Sequence, residues 1–191
     1  MVKYSWKVVN IIPKNIIEIL ALLISLINLY LYYRTIKNEK INLKIEQDTE
    51  DAYSFAFTWY QKYNCVFFHV SINNNSKSDT SISKITLTDN LGNIYTPSEY
   101  DIGDFHNDNG LSLYDKDDSD IYYTYNLKSD NLLNELRIPS FGHISGYLVF
   151  MNFPPISENT IVKLTLYTPT EIFDKNIAIS PLPNNITPNY D

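Results

Sequence analysis

An antiparallel β-sandwich behind one membrane-spanning α-helix is the fold class this sequence predicts, and three observations predict it. Residues 16–33 are apolar almost without interruption and stop at Arg34. From Ile41 onward, apolar residues recur at every second position, the period of a half-buried strand. Turn clusters such as residues 73–79 and the bend through Gly92 separate the alternating stretches.

The apolar run comes first. As a helix, residues 16–33 extend ~27 Å at 1.5 Å per residue, and a bilayer core takes about 20 apolar residues. Ile11 and Ile12 add length beyond Pro13, a residue suited to a first helical turn. Trp6 flanks one end and Tyr30, Tyr32 and Tyr33 the other, as interfacial aromatics do. Arg34, Lys37 and Lys40 then end the span. A cleaved signal would want a small-x-small site after its apolar core, and "YLYYRTIK" offers none. A surface helix of a soluble protein would show one apolar stripe and a polar face, whereas this run is apolar nearly all round. The expected organisation is an N-terminal flank (1–15), a transmembrane helix (16–33), a basic collar (34–40), a β-domain (41–179) and a loose tail (180–191). Glu18, Ala21, Ser25 and Asn28 step by three, four and three, so they share one face of the helix. Such a stripe serves as a helix-packing seam, for a partner helix or for a second copy of the chain. In the bland alternative, Glu18 snorkels to the headgroups and the others are tolerated. Lys3, Lys7 and Lys14 oppose Arg34, Lys37, Lys40 and Lys44, so the basic residues favour neither orientation.

Charge divides the chain at the same place. Residues 1–44 hold seven Lys/Arg against Glu18 and Glu39, or +5; residues 45–191 hold eight basic against twenty acidic residues, or −12. A domain at −12 repels phosphate backbones, which argues against nucleic acid as a partner. Cys65 is alone, so no intrachain disulfide and no cysteine-based zinc site forms. An apolar content of 44% is enough for a packed core.

The predicted strands are 41–45, 52–60, 65–72, 81–89, 121–127, 144–153, 160–168 and 171–179. In the seventh, Ile161 and the pair Leu164 and Leu166 have opposite parity, which leaves its inward face open. One short helix is expected within residues 129–138, capped by Ser129 or Asp130. Seven to nine short strands with turns between them make an antiparallel sandwich.

The stretches "FHVSINNNSKSDTSISKITLTDNLG" and "SGYLVFMNFP…VKLTLYT", behind the collar "YYRTIKNEK", resemble a group of small bacterial proteins. These have one N-terminal membrane helix and one Ig-like β-sandwich. The resemblance implies an Ig-like fold, a binding or structural role and no catalytic residues. The paired cysteines of antibody domains are missing.

Four constellations could carry chemistry. Residues 101–120 hold seven Asp and His106, and hard cations such as calcium take several oxygens from a flexible loop. Asp115, Asp117 and Ser119 follow the 1-3-5 spacing of a calcium loop, but Asp120 stands where Gly is required and Asn126 where Glu is. Asp104, Asp108, Asp115, Asp117 and Asp118 are the candidate ligands; a solvated acidic loop is the alternative, and no other cofactor is indicated. His69, His106 and His143 show no metal-binding spacing. "GHISG" (142–146) sets Ser145 one place late for a hydrolase elbow. Residues 53–68 carry eight aromatics. Tyr60, Tyr63, Phe67 and Tyr122 fall on the parity opposite their apolar neighbours, as a surface patch for a partner or a sugar ring would; ordinary core packing is the alternative.

The expectation is a non-catalytic, membrane-tethered module that binds another protein, with an envelope-associated carbohydrate-binding module as the second reading if the domain lies outside the cell.

Overall fold

The computed structural model describes residues 14–56, 64–98, 111–118 and 122–188. The chain divides into two compact units, Met1–Lys40 and Ile41–Asp191.

The first unit carries α1 (Lys14–Glu39). Within it, Ile16–Ile36 is long and apolar enough to cross a membrane, and none of its residues is buried. The helix runs past Arg34, where the sequence reading ended the span. Its hydroxyls turn back on their own backbone, with Ser25 donating to the Ala21 carbonyl and Thr35 to that of Leu31, both at 2.9 Å. This is how hydroxyls are satisfied in a helix without water.

The regular structure described in the second unit is strands and one 3-10 turn; the strands are β1 (Leu43–Ala56), β2 (Asn64–Asn74), β3 (Thr80–Ser81), β4 (Lys84–Thr88), β5 (Ile94–Tyr95), β6 (Leu111–Asp115), β7 (Tyr122–Tyr125), β8 (Arg137–Ile138), β9 (His143–Met151), β10 (Thr160–Tyr167), β11 (Ile172–Pro181) and β12 (Ile186–Thr187). Seven form one sheet in the order β5-β4-β10-β11-β1-β2-β9; β12-β6-β7 and β3-β8 form two smaller sheets. Between the described strands, all pairings are antiparallel except one. β1 meets β11 in parallel, with Tyr53 opposite Ser180 and Ser54 opposite Pro181.

That junction turns on an irregularity in β1. Asp48 faces His69 and Tyr53 faces Phe67, so β1 advances five residues while β2 advances two. The extra length bends the strand as a bulge does. Ahead of the bend, Gln47 bridges to β11 with its side chain: its amide nitrogen donates to the Ala178 carbonyl at 2.6 Å and its amide oxygen accepts from the Ala178 N–H at 2.9 Å. One carboxamide does the work of a ladder rung. Residues 43–56, expected as parts of two strands (41–45 and 52–60), are thus one bent strand.

Two apolar clusters result. The larger takes Leu43, Ile45, Val66, Phe68, Val70, Ile72, Leu148 and Phe150 from β1, β2 and β9, and Ile85, Leu87, Val162, Leu164, Leu166, Ile177 and Ile179 from β4, β10 and β11. This settles the inward face of β10 as Val162, Leu164 and Leu166. The smaller lies on the other side of β2. There Phe55, Cys65, Phe67 and Val149 pack against Leu111, Leu113, Tyr125 and Leu127. The sheet β12-β6-β7 is therefore a further layer over β1, β2 and β9.

Three expectations need correcting. Residues 111–115, within the acidic stretch, form β6. Residues 180–187 are not a loose tail, because β11 runs to Pro181 and β12 pairs with Tyr114 and Asp115. The short helix is a 3-10 turn, Leu132–Asn134, capped by Asn131, whose side chain accepts from the Leu133 N–H at 2.9 Å.

The glycines of "GHISG" have structural work. The segment before the 3-10 turn lies flat on β9, and the Tyr147 N–H donates to the Asp130 carbonyl at 2.7 Å. A Cβ at Gly146 would stand 2.5 Å from that carbonyl oxygen and 2.8 Å from Leu132 N. Neither atom is the end of a flexible side chain, so the backbone itself would have to move. Gly146→Ala is expected to cost about 1–3 kcal/mol, measured by urea unfolding against the parent protein. An unchanged midpoint would contradict this close approach.

Candidate functional site: an exposed face of four strands

β4, β5, β10 and β11 turn alternate side chains to the side away from the apolar core, where most are exposed or half-buried but Thr86 and Thr165 are buried. Register sets them in rows: Lys84, Tyr167 and Ile172; then Thr86, Thr165 and Asp174; then Ile94, Thr88, Lys163 and Asn176; then Ile161 and Ala178. The middle is polar and tied together. Thr165 donates to Asp174 at 2.7 Å, and the Lys163 ammonium lies 3.4 Å from the other Asp174 oxygen. Lys84 sits over the Tyr167 ring, 5.4 Å from its centre. The Lys163–Asp174 pair is half-exposed, so it fixes side-chain positions more than it stabilises the fold.

The turn after β4 ends this face in an apolar corner. Asp89 holds the turn: one carboxylate oxygen accepts from the Leu91 N–H at 2.9 Å and the Asn93 N–H at 2.8 Å, and the other accepts from the Asn93 side chain at 2.8 Å and the Tyr95 hydroxyl at 3.1 Å. Gly92 takes φ +86°, which glycine adopts without steric cost. With its backbone held this way, Leu91 is 87% exposed. Ile94 is 68% exposed, and Ile161, just beyond the Lys163–Thr88 row toward the turn, is 59% exposed. Three large aliphatic side chains are thus exposed toward this end of the sheet, where a partner could cover them.

Burial would by itself raise the Asp89 carboxyl, but the Asn93 side chain and amide, the Tyr95 hydroxyl and the Leu91 amide outweigh it and hold the group below the usual carboxylate range. Burial first, and then Asp89, push the Tyr95 hydroxyl up, which keeps it a donor. A carboxyl lowered on folding adds stability above its unfolded pKa, near 3.9. That stability goes as pH falls through the folded value. The turn is expected to stay ordered above about pH 5 and to loosen below about pH 4, followed through the amide NMR shifts of Leu91 and Asn93. Asp89→Ala should loosen it at every pH. Shifts unchanged down to pH 2 in the parent protein would contradict this role for Asp89.

The residues singled out from sequence fall elsewhere. Phe67 is fully buried, ringed by Tyr53, Phe55, Tyr125 and Tyr147 at centroid distances of 5.0–6.1 Å. It does not belong to a surface patch, because the layer of β6 and β7 covers the side of β2 that alternation left exposed. Tyr60 and Tyr63 lie outside the described residues. Tyr122 pairs with Tyr114 in the ladder, and its side chain is outside the description.

Asp104 and Asp108 also lie outside the described residues. Asp115 engages both its oxygens within the chain, accepting from the Asp117 N–H at 2.8 Å and the Asn185 side chain at 3.0 Å. It fastens the end of β6 to the C-terminal segment. Asp117 and Asp118 follow it on the surface, and among the described residues no three His, Cys, Asp or Glu side chains group as metal ligands. Glu18, Ala21, Ser25 and Asn28 are all exposed along α1. The His69 ring stands edge-on to Tyr147 at 5.0 Å. Ser145 sits opposite Ser71 in the β2–β9 ladder, a strand position and not a turn into a helix. The Cys65 thiol is buried, and burial pushes its pKa up, so it is no nucleophile at neutral pH.

The exposed corner was missed in the sequence because Leu91, Ile94 and Ile161 are far apart or off-pattern there. The legible signal was the odd parity of Ile161 against Leu164 and Leu166.

No family model matches the chain, and no curated protein matches it. Among solved structures it is similar to one described as "X-ray structure of Northeast Structural Genomics Consortium target SoR45", at 10% identity, over 77% of this chain and 90% of that one, with a TM-score of 0.37. A likeness at that level carries no inference about function.

Proposed function

We propose that the protein is a membrane-tethered, non-catalytic Ig-like module that binds another protein through the outer face of β5-β4-β10-β11. The observation that carries the reading is the corner of Leu91, Ile94 and Ile161, held out by a turn that Asp89 stitches from within. The tether is α1, whose span Ile16–Ile36 is long and apolar enough to cross a membrane and has no buried residue. The Ig-like reading draws support from the strand order. The first strand pairs antiparallel with the second on one side and parallel with β11 on the other. Side chains of β1, β2 and β9 share one apolar cluster with those of β4, β10 and β11, as the inner faces of two packed sheets would. The sugar-binding alternative loses Phe67 from its stacking platform and rests on Tyr60, Tyr63 and Tyr122.

The test is cross-linking in native membranes, with a photoreactive residue replacing Ile94. The expected result is one discrete protein adduct, reduced at least about tenfold by Ile161→Lys, the effect of about 1.4 kcal/mol at a contact, with no fall in thermal stability. The same adducts from a probe at Lys128, exposed before the 3-10 turn, would contradict a specific face.

A further inference from the structure

We propose that the turn of residues 139–142 is a lipid-binding foot, with Phe141 placing its ring in the headgroup region of the membrane that holds α1. The inference rests on the tether reading above and adds a second membrane contact, made by the β-domain.

Three observations lead here. Phe141 is 69% exposed, more than Tyr123 at 51%. It also has φ +53°. Among the described residues the other positive φ values belong to Gly92 and Asn152, residue types that enter the left-handed region readily, whereas a bulky side chain does so at a cost. A solvent-exposed phenyl in a strained turn is a poor choice twice over for stability, and strain kept in a fold points to use.

The surroundings hold that backbone in place. The Phe141 N–H donates to the Ser76 carbonyl at 3.1 Å, and the Asn74 N–H to the Gly142 carbonyl at 2.9 Å. Buried Asn74 spreads its side chain between the two turns, donating to the Pro139 and Ser78 carbonyls at 2.9 Å each and accepting from the Ser76 N–H at 3.0 Å. Its carboxamide oxygen also accepts from the Ser76 hydroxyl.

The third observation is reach. The Asn75 N–H donates to the Asn42 carbonyl at 2.8 Å, so this pair of turns is fastened to the chain six residues beyond Ile36, the end of the apolar span. Six residues cover at most about 20 Å. The turns are joined to the apolar span by no more chain than that. Lys77 is exposed on the fastened turn, where a lipid phosphate would meet it. The Asp79 carboxylate, which accepts from the Ser140 N–H at 2.9 Å, is itself paired with Arg137 at 3.2 Å, and an exposed ring on a turn pair that also carries a lysine suits an interfacial anchor.

The full chain in lipid nanodiscs tests this. Ser140→Cys carries an environment-sensitive dye, and buried Cys65 stays unlabelled. Quencher-bearing lipids should quench the dye at least about threefold more than a dye at Leu91→Cys. Phe141→Gly should abolish that difference while raising the melting temperature by roughly 2–4 °C, because glycine relieves the left-handed strain. A dye at Tyr33→Cys reports on the helix. If it is quenched and the one at Ser140→Cys is not, the foot is refuted and the tether stands. If neither is quenched, the tether reading fails and this inference with it. A lower melting temperature in Phe141→Gly with unchanged quenching would assign Phe141 a structural role and overturn the proposal.

Discussion

The domain depends on burying β2 on both faces. Cys65, Val66, Phe67 and Phe68 are consecutive, and all four are fully buried. Val66 and Phe68 serve the larger core; Cys65 and Phe67 serve the smaller. β9 repeats the arrangement, with Leu148 and Phe150 on one side and Val149 on the other. A strand buried on both faces must carry a continuous apolar run. The adjacent phenylalanines and the small unreactive cysteine then follow from the layers above and below. The bend in β1 follows too, because β1 pairs with β2 along its length and still has to reach β11 on its other edge.

What the sequence made legible was set by period. The helix, the change of period near residue 41 and most strand positions could be read from spacing alone. The seam of the two layers could not. "CVFFHV" shows alternation only if every second residue is disregarded, and reading it that way put Phe67 on the surface. Its unbroken apolar run was the better sign. The short strands β3, β5, β8 and β12 have two residues each and carry no period at all; partners distant in sequence form them. β6 lay hidden in an acidic stretch because only Leu111 and Leu113 face the core. The apolar corner drew on the turn after β4 and the start of β10, a proximity that exists only once the strands pair.

The same polar residues that close the fold also present its exposed features. Asp89 spends its oxygens on a turn that leaves Leu91 outside, and Asn74 spends its carboxamide on a pair of turns that leave Phe141 outside. In both places an internal hydrogen-bond network holds an apolar side chain in solvent. A rigid display of this kind lowers the entropy lost when a partner or a lipid surface arrives.

The most direct test of the two-layer account is the stability of Phe67→Ala in the full chain, by urea unfolding beside Phe68→Ala. Burial on both faces of β2 predicts a loss of about 3–5 kcal/mol from either change, the usual cost of removing a buried phenyl ring. If Phe67→Ala stays within about 0.5 kcal/mol of the parent, as a surface substitution would, then β6 and β7 do not cover β2 and the account is wrong.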